Sequence, residues 1–365
     1  MAGRGKEKAI TALLTILLVC LCLGCTAGGL SADEGREAGT AAQTASTAGD
    51  FETATFEVTP DFATATPGLT LPLAPPPTPT PTFTPVPTPT PAPTPFSVVW
   101  ISDTQNYSLQ FPEVFSSLSD WVLETGDEYN VQFFVHTGDV TDNGYSEAQW
   151  EVANEALLPL VERYPSLIVA GNHDIGKSGS FRRFLSQPCV APTLREGQLY
   201  EDGAASYALF EAGGSEFIVL GISWGIDEQA TYNWARNTLQ SYPDRIGIII
   251  THSALESDGS LTGPGYRLHT RVIAACPNVR LVLCGHYREG VRRLDLYDDD
   301  GDGEAERSVN TLMYNYQENH ETGLGYVCIL SFDPVAREIS AYTYSPYYQR
   351  VREGDEGCFI LEAAF

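Results

Sequence analysis

The chain has 365 residues, 47 acidic and 21 basic, with a formal net charge of −26 at neutral pH. That balance excludes a nucleic-acid backbone as a general partner, because its phosphates are repelled at long range. It leaves room for a small phosphorylated ligand, since a bound cation reverses the local field.

The amino terminus reads as an export leader. Arg4, Lys6 and Lys8 precede an apolar run over residues 9–23, short of the about 20 apolar residues that a membrane-spanning helix needs. Leu23-Gly24-Cys25 resembles the lipobox of bacterial lipoproteins, with Cys22 where leucine is commonest. Residues 1–25 are thus expected to be a signal peptide, with Cys25 either lipidated or incidental to simple cleavage. Both routes place the remainder outside the cytoplasm, at the cell surface or secreted, touching membrane through the lipid alone. Residues 26–95 follow, first rich in Ala and Thr, then alternating Pro with Thr. Such a segment buries too little to offset the entropy of ordering, and its Pro/Thr part reads as an extended polyproline-II stalk. A Pro-rich ligand for a partner domain is the alternative.

At Phe96 the texture changes, and residues 96–365 read as one α/β domain. Apolar runs at Phe96–Ile101, Val131–His136 and residues 166–170 predict buried strands. Between the last two, Ser146 with Gln149 forms a capping box, and Trp150, Ala153, Leu157 and Leu160 recur at helical spacing. Further strands are expected at residues 216–220, 246–250 and 279–284, with helices at 229–241 and 269–275, and strand-rich texture beyond Gly290. Alternating strands and helices imply a mostly parallel sheet covered on its faces. Of the five domain cysteines, Cys189, Cys276, Cys284, Cys328 and Cys358, none stands at metal-ligand spacing, and Cys284 ends a buried strand.

In such sheets, chemistry collects in loops at the carboxyl ends of strands. Asp103-Thr104-Gln105, Gly138-Asp139-Val140-Thr141-Asp142, Gly171-Asn172-His173-Asp174, Thr251-His252 and Gly285-His286-Tyr287-Arg288 each follow an apolar run directly. Five loops at one edge would bring carboxylate, amide and imidazole ligands together, a set suited to Mn, Fe or Zn. Any one loop taken singly is ordinary; the ordered set carries the inference.

The order and placement resemble the calcineurin-like metallophosphoesterase superfamily, over most of the span from Phe96 to about Arg288. The resemblance implies a four-layer α/β/β/α sandwich with one or two divalent metal ions. It implies that Asp139 bridges them, that Asn172, His252 and His286 (the last through its ring or its backbone carbonyl) complete one site, and that Asp103 and Gln105 serve the other. His173 would protonate the leaving alkoxide with Asp174 orienting it, and a phosphomonoester or phosphodiester would be hydrolysed by metal-activated hydroxide.

Two departures stand out. Gln105 replaces the histidine of the family's first motif, as in a recurrent variant of secreted members. Arg288 stands where the family's Gly-His-x-His supplies a second histidine, and a guanidinium cannot ligate. The Asp103/Gln105 site is then empty, water-filled or closed by another residue such as His320, and Arg288 would instead act as a fixed cation on a substrate phosphate. A non-catalytic binding lipoprotein and a single-metal hydrolase are the alternatives. Among neighbouring residues, His136 reads as a support for the Gly138-Asp139 turn and His269 as a surface residue. Arg182 and Arg183 read as a solvated helix face or an anion guide.

A separate signal lies at Asp298-Asp299-Asp300-Gly301-Asp302-Gly303. Asp298, Asp300 and Asp302 sit at positions 1, 3 and 5 of a calcium loop with Gly303 at 6, Glu306 at 9, and Val309 instead of Glu at 12. The flanks read as strands. A calcium-stapled hairpin and an uncomplexed acidic turn both fit.

Overall fold

The computed structural model describes residues 93–176, 181–195, 197–200, 203–225, 229–317, 325–362 and 365. The leader with Cys25, nearly all of the stalk, and His320 lie outside the described residues.

The first half runs β1 (Phe96–Ile101), α1 (Gln105–Gln110), α2 (Pro112–Thr125), β2 (Val131–His136), α3 (Glu147–Arg163), β3 (Ser166–Ile168), α4 (Asn172–Ile175) and α5 (Phe181–Leu185). Next come β4 (Leu199–Tyr200), β5 (Ala205–Ala212), β6 (Ser215–Ile222), α6 (Gln229–Gln240), β7 (Ile246–Thr251), α7 (Gly263–Arg271) and β8 (Val279–Cys284). Strands then dominate: β9 (Glu289–Tyr297), β10 (Arg307–Asn315), β11 (Val327–Asp333), β12 (Glu338–Ser345), β13 (Arg350–Val351) and β14 (Cys358–Leu361). One sheet is ordered β13-β12-β11-β1-β2-β3, with β14 also pairing β12; the other is ordered β4-β5-β6-β7-β8-β10-β9.

Side-chain alternation makes the layers. Val98, Trp100, Phe133, Val135, Leu167 and Val169 leave the first sheet on one face and meet Phe217, Val219, Ile248, Ile250, Leu281 and Leu283 of the second. Their chain neighbours Val99, Ile101, Phe134 and Ile168 point the other way, onto Val114, Phe115, Leu118 and Val122 of α2 and Trp150, Leu157 and Leu160 of α3. Ile218, Leu220, Ile249 and Val282 do the same beneath Tyr232, Ala235 and Leu239 of α6 and Leu268 of α7. With both faces buried, each strand reads as an unbroken apolar run, and the result is the expected α/β/β/α sandwich.

Some elements differ from expectation. β3 stops at Ile168. α7 begins before residue 269, because Thr262 caps it by accepting from the Gly265 amide at 3.0 Å, with Pro264 in the first turn. At α3 half of the capping box forms: Ser146 Oγ accepts from the Gln149 amide, while Gln149 Oε1 is taken by the Asn143 amide. His269 is buried, not at the surface, and its ring nitrogens face Tyr297 Oη at 2.7 Å and Thr311 Oγ1 at 3.1 Å. It ties α7 to the β9–β10 hairpin.

Candidate metal centre

β1, β2 and β3 run parallel in one sheet, and β6, β7, β8 and β10 run parallel in the other, so their carboxyl ends share an edge within each. The turns leaving three of these strands are tight. Asp103, Asp139 and His286 all adopt positive φ, at 53°, 54° and 75°. Left-handed backbone at a non-glycine residue is costly and turns the side chain sharply out of the strand line. The neighbouring glycines make this possible: a Cβ on Gly285 would lie 2.1 Å from Asp103 Oδ2, and one on Gly171 would lie 2.1 Å from Asp139 Oδ1. Buried His136 accepts from the Gly138 amide through Nδ1, supporting the Asp139 turn from below. Burial, then nearby His252, lowers its pKa to about 3, so it stays neutral.

Four ligand-type groups converge on one point. His252 Nε2 lies 3.3 Å from Asp139 Oδ2, 3.2 Å from Asn172 Oδ1 and 3.2 Å from His286 Nδ1. The other His252 nitrogen must donate to the Thr137 carbonyl at 2.8 Å, since a carbonyl only accepts. Nε2 is thus the atom offered to the cluster. Burial opposes a charged His252, but Asp139 outweighs it and, with Asp103, lifts the pKa to about 9. In turn His252 holds Asp139 ionised against the burial penalty. Burial and His252 lower His286 to about 4, leaving a neutral imidazole. The His286 ring offers Nδ1 to the cluster, and its carbonyl accepts from Asn315 Nδ2 at 3.2 Å.

Asp103 and Gln105 stand beside this cluster. Gln105 Nε2 donates to Asp139 Oδ2 at 3.1 Å. Asp103 accepts from Ser102 Oγ at 2.5 Å and from the His286 amide at 3.2 Å. Burial pushes the Asp103 carboxyl up to about 7, with His252 opposing and Asp139 reinforcing the rise. The residues fit divalent cations on two observations. Gln105 Oε1 is buried without a hydrogen-bond partner, and Asp139, His252 and His286 offer ligand atoms within 4.8 Å of one another. An orphaned amide oxygen next to crowded anionic and imidazole donors is what a cation would satisfy.

His173 sits at the rim, its side chain 38% exposed, with its amide donating to Asp139 Oδ1 at 2.9 Å. Against the expectation that Asp174 orients it, the residue facing the ring is Asp142, whose carbonyl lies 2.8 Å and carboxylate 3.3 Å from Nδ1. Asp174 is spent on backbone: it accepts from the Thr141 amide at 2.9 Å and the Gly171 amide at 2.8 Å, pinning two loops together. Burial, then Asp139, pushes the Asp174 carboxyl up to about 7. At His173 burial opposes the charge, but Asp139 and Asp142 outweigh it and raise the pKa above the usual imidazole value. Arg288 is exposed, and its carbonyl accepts from Ser257 Oγ at 3.2 Å. Arg183 pairs with Glu147.

Two functional residues lie outside the five motif loops. Trp224 packs its ring 4.7 Å from that of His286 and 5.7 Å from that of His252. Asn315 holds the His286 loop by the carbonyl contact above. Both follow the apolar stretches of β6 and β10, so the rule that exposed the ligands also points to them. Away from the edge, β9 and β10 pair antiparallel around the acidic turn. Asp298, Asp300, Asp302 and Glu306, all exposed, bring their carboxylates within 4.8 Å of one another. Asp298 accepts from the Gly301 and Gly303 amides.

A four-layer sandwich presenting carboxylate, amide and imidazole donors at one strand-end edge defines a metal-binding α/β domain of the hydrolase type. The chain belongs to the calcineurin-like phosphoesterase family, whose model matches residues 96–287. The uncharacterized protein YvnB of Bacillus subtilis (strain 168) is 33% identical over 257 residues, which are 69% of this chain but 20% of that protein. Purple acid phosphatase PPD1 from yellow lupin (Lupinus luteus) seeds superposes with a TM-score of 0.49 at 14% identity, covering 76% of this chain and 55% of that one. GAP50 of Plasmodium gives 0.46 at 11% identity, covering 73% and 89%.

Proposed function

We propose that this chain hydrolyses a phosphomonoester or phosphodiester outside the cell. The observation that carries the reading is the convergence of Asp139, Asn172 and His286 on His252 Nε2 within 3.3 Å. These four residues would hold one divalent cation, and Asp103 and Gln105 with the shared Asp139 a second; Mn, Fe and Zn suit the donors alike. A cation so held polarises a phosphoryl oxygen and lowers the pKa of water. The protein's own part is to orient and to move a proton. His173, accessible and with its pKa raised by its anionic neighbours, donates to the departing alkoxide, while Asp142 fixes its ring. Arg288 offers a permanent charge to a substrate phosphate.

The purified domain supplied with Mn²⁺ should cleave a generic aryl phosphate, with Asp139→Ala and His173→Ala reducing kcat at least 100-fold. Unchanged turnover in Asp139→Ala would overturn the reading. A single-metal enzyme is the second reading, favoured by Arg288 at the position of the family's second histidine. One bound equivalent with full activity would select it, and firm metal binding without turnover on any ester would select a non-catalytic binding lipoprotein.

The leader and stalk support a surface location, with Cys25 lipidated. Incorporation of labelled fatty acid that Cys25→Ala abolishes is the corresponding test. For the acidic turn, the spacing of Asp298, Asp300, Asp302 and Glu306 supports calcium stapling the β9–β10 hairpin. Calcium titration against Asp300→Asn reads this directly.

A further inference from the structure

Behind Trp224, between the ends of β6 and β7 and the helices that cover them, lies a cavity of about 170 Å³. Trp224, Tyr232, Thr251, Ser253, Pro264 and Leu268 line it. Apolar surface dominates, and its hydroxyl-bearing lining residues are Ser223, Tyr232, Thr251 and Ser253, the last two flanking His252. Trp224 belongs to both places, since the indole that walls the cavity also packs against the rings of His286 and His252. An apolar cavity of about 150 Å³ accommodates benzene, so this one is the size of a single six-membered ring. Such pockets, apolar with a few placed polar groups, are the usual form of small-molecule sites.

We propose that this cavity seats the alcohol portion of the substrate, and that the ester cleaved carries one ring-sized apolar group. The inference rests on the phosphoesterase reading and adds to it a substrate class: the phosphate lies over the metal-ligand cluster while the apolar group packs against Trp224. Leu268 and Tyr232, on α7 and α6, set the depth of the pocket and so act in specificity, with no part in the chemistry. Bulky, strongly polar alcohols are excluded by volume and by the desolvation they would suffer.

The test compares benzyl phosphate with ethyl phosphate, whose alcohols are of similar acidity, on the Mn²⁺-loaded protein. The expected kcat/KM ratio favours benzyl by on the order of 10- to 100-fold, the range over which apolar pockets discriminate. Leu268→Phe, which fills the cavity, should bring the ratio towards one by lowering kcat/KM for benzyl phosphate more than for ethyl phosphate. Leu268→Ala, which enlarges it, should shift preference towards naphthylmethyl phosphate, so a misfolded first variant does not end the test. A wild-type ratio near one, or a ratio that neither variant moves, overturns the proposal. If neither these monoesters nor the corresponding diesters are cleaved, the phosphoesterase reading fails. The cavity is then judged by calorimetric binding of benzyl alcohol, which Leu268→Phe must weaken at least tenfold for the cavity to stand.

Discussion

Asp139 is the residue on which the site turns, and its influence reaches both imidazoles that matter. At His173 it acts with Asp142, against the burial penalty, to raise the pKa above the usual imidazole value. A general acid works while protonated, so activity should fall as pH rises through its pKa. Asp142→Asn removes one of the anions raising that pKa, and the alkaline limb of the kcat profile should move to lower pH. A pH–rate profile checks the direction; a limb that stays put would remove Asp142 from the role. At His252 the same carboxylate raises the folded pKa to about 9 from a reference near 6.5. A raised histidine stabilises below its unfolded pKa and loses that contribution as pH rises through the folded one. In chelator-treated protein, the Tm advantage of wild type over Asp139→Asn should therefore be largest below about pH 6.5 and shrink towards pH 9.

At the scale of elements, the site depends on parts that never touch the cluster's central point. β10 places Asn315 to hold the His286 carbonyl, and residues that orient a ligand in this way typically govern metal affinity by about 10- to 100-fold. Asn315→Ala should weaken Mn²⁺ binding by that factor in a competition assay, with the far-ultraviolet spectrum unchanged. α7 starts at the Thr262 cap. Thr262→Ala should cost about 1 kcal/mol, read as a Tm lower by about 2–4 °C for a domain this large. What the sequence revealed of these elements followed their chemistry. β1, β2, β7 and β8 are legible because strands buried on both faces become continuous apolar runs, and the metal-ligand types stand out because each follows such a run. α2 carries its own marks in the sequence, with Pro112 in its first turn and Val114, Leu118 and Val122 at helical spacing. His269 misled because it lies on a helix of polar composition, and its burial comes from Tyr297 and Thr311, 28 and 42 residues away. The position of Asp142 at His173, in place of Asp174, was hidden for a similar reason. Both are acids beside the same histidine in space, and hydrogen bonds to backbone 33 residues away and 3 residues away decide which one faces it.

For the whole molecule, the sandwich supplies rigidity and the sheet edge supplies chemistry. The central core, shared by both sheets, fixes the strand ends, and the strained turns at Asp103, Asp139 and His286 are tolerable because that core holds them. Binding to the folded form alone stabilises it by mass action, about 2.7 kcal/mol at a hundredfold excess over Kd. Metal addition should thus raise Tm by several degrees and a chelator should reverse the rise. The most direct measurement is the metal retained after dialysis, by elemental analysis, in wild type and in Asp139→Ala. At least one equivalent of Mn, Fe or Zn in the wild type, lost from the variant, is the expected result. Equal retention by both proteins, or none by either after saturation, would contradict the claim that these loops share a cation.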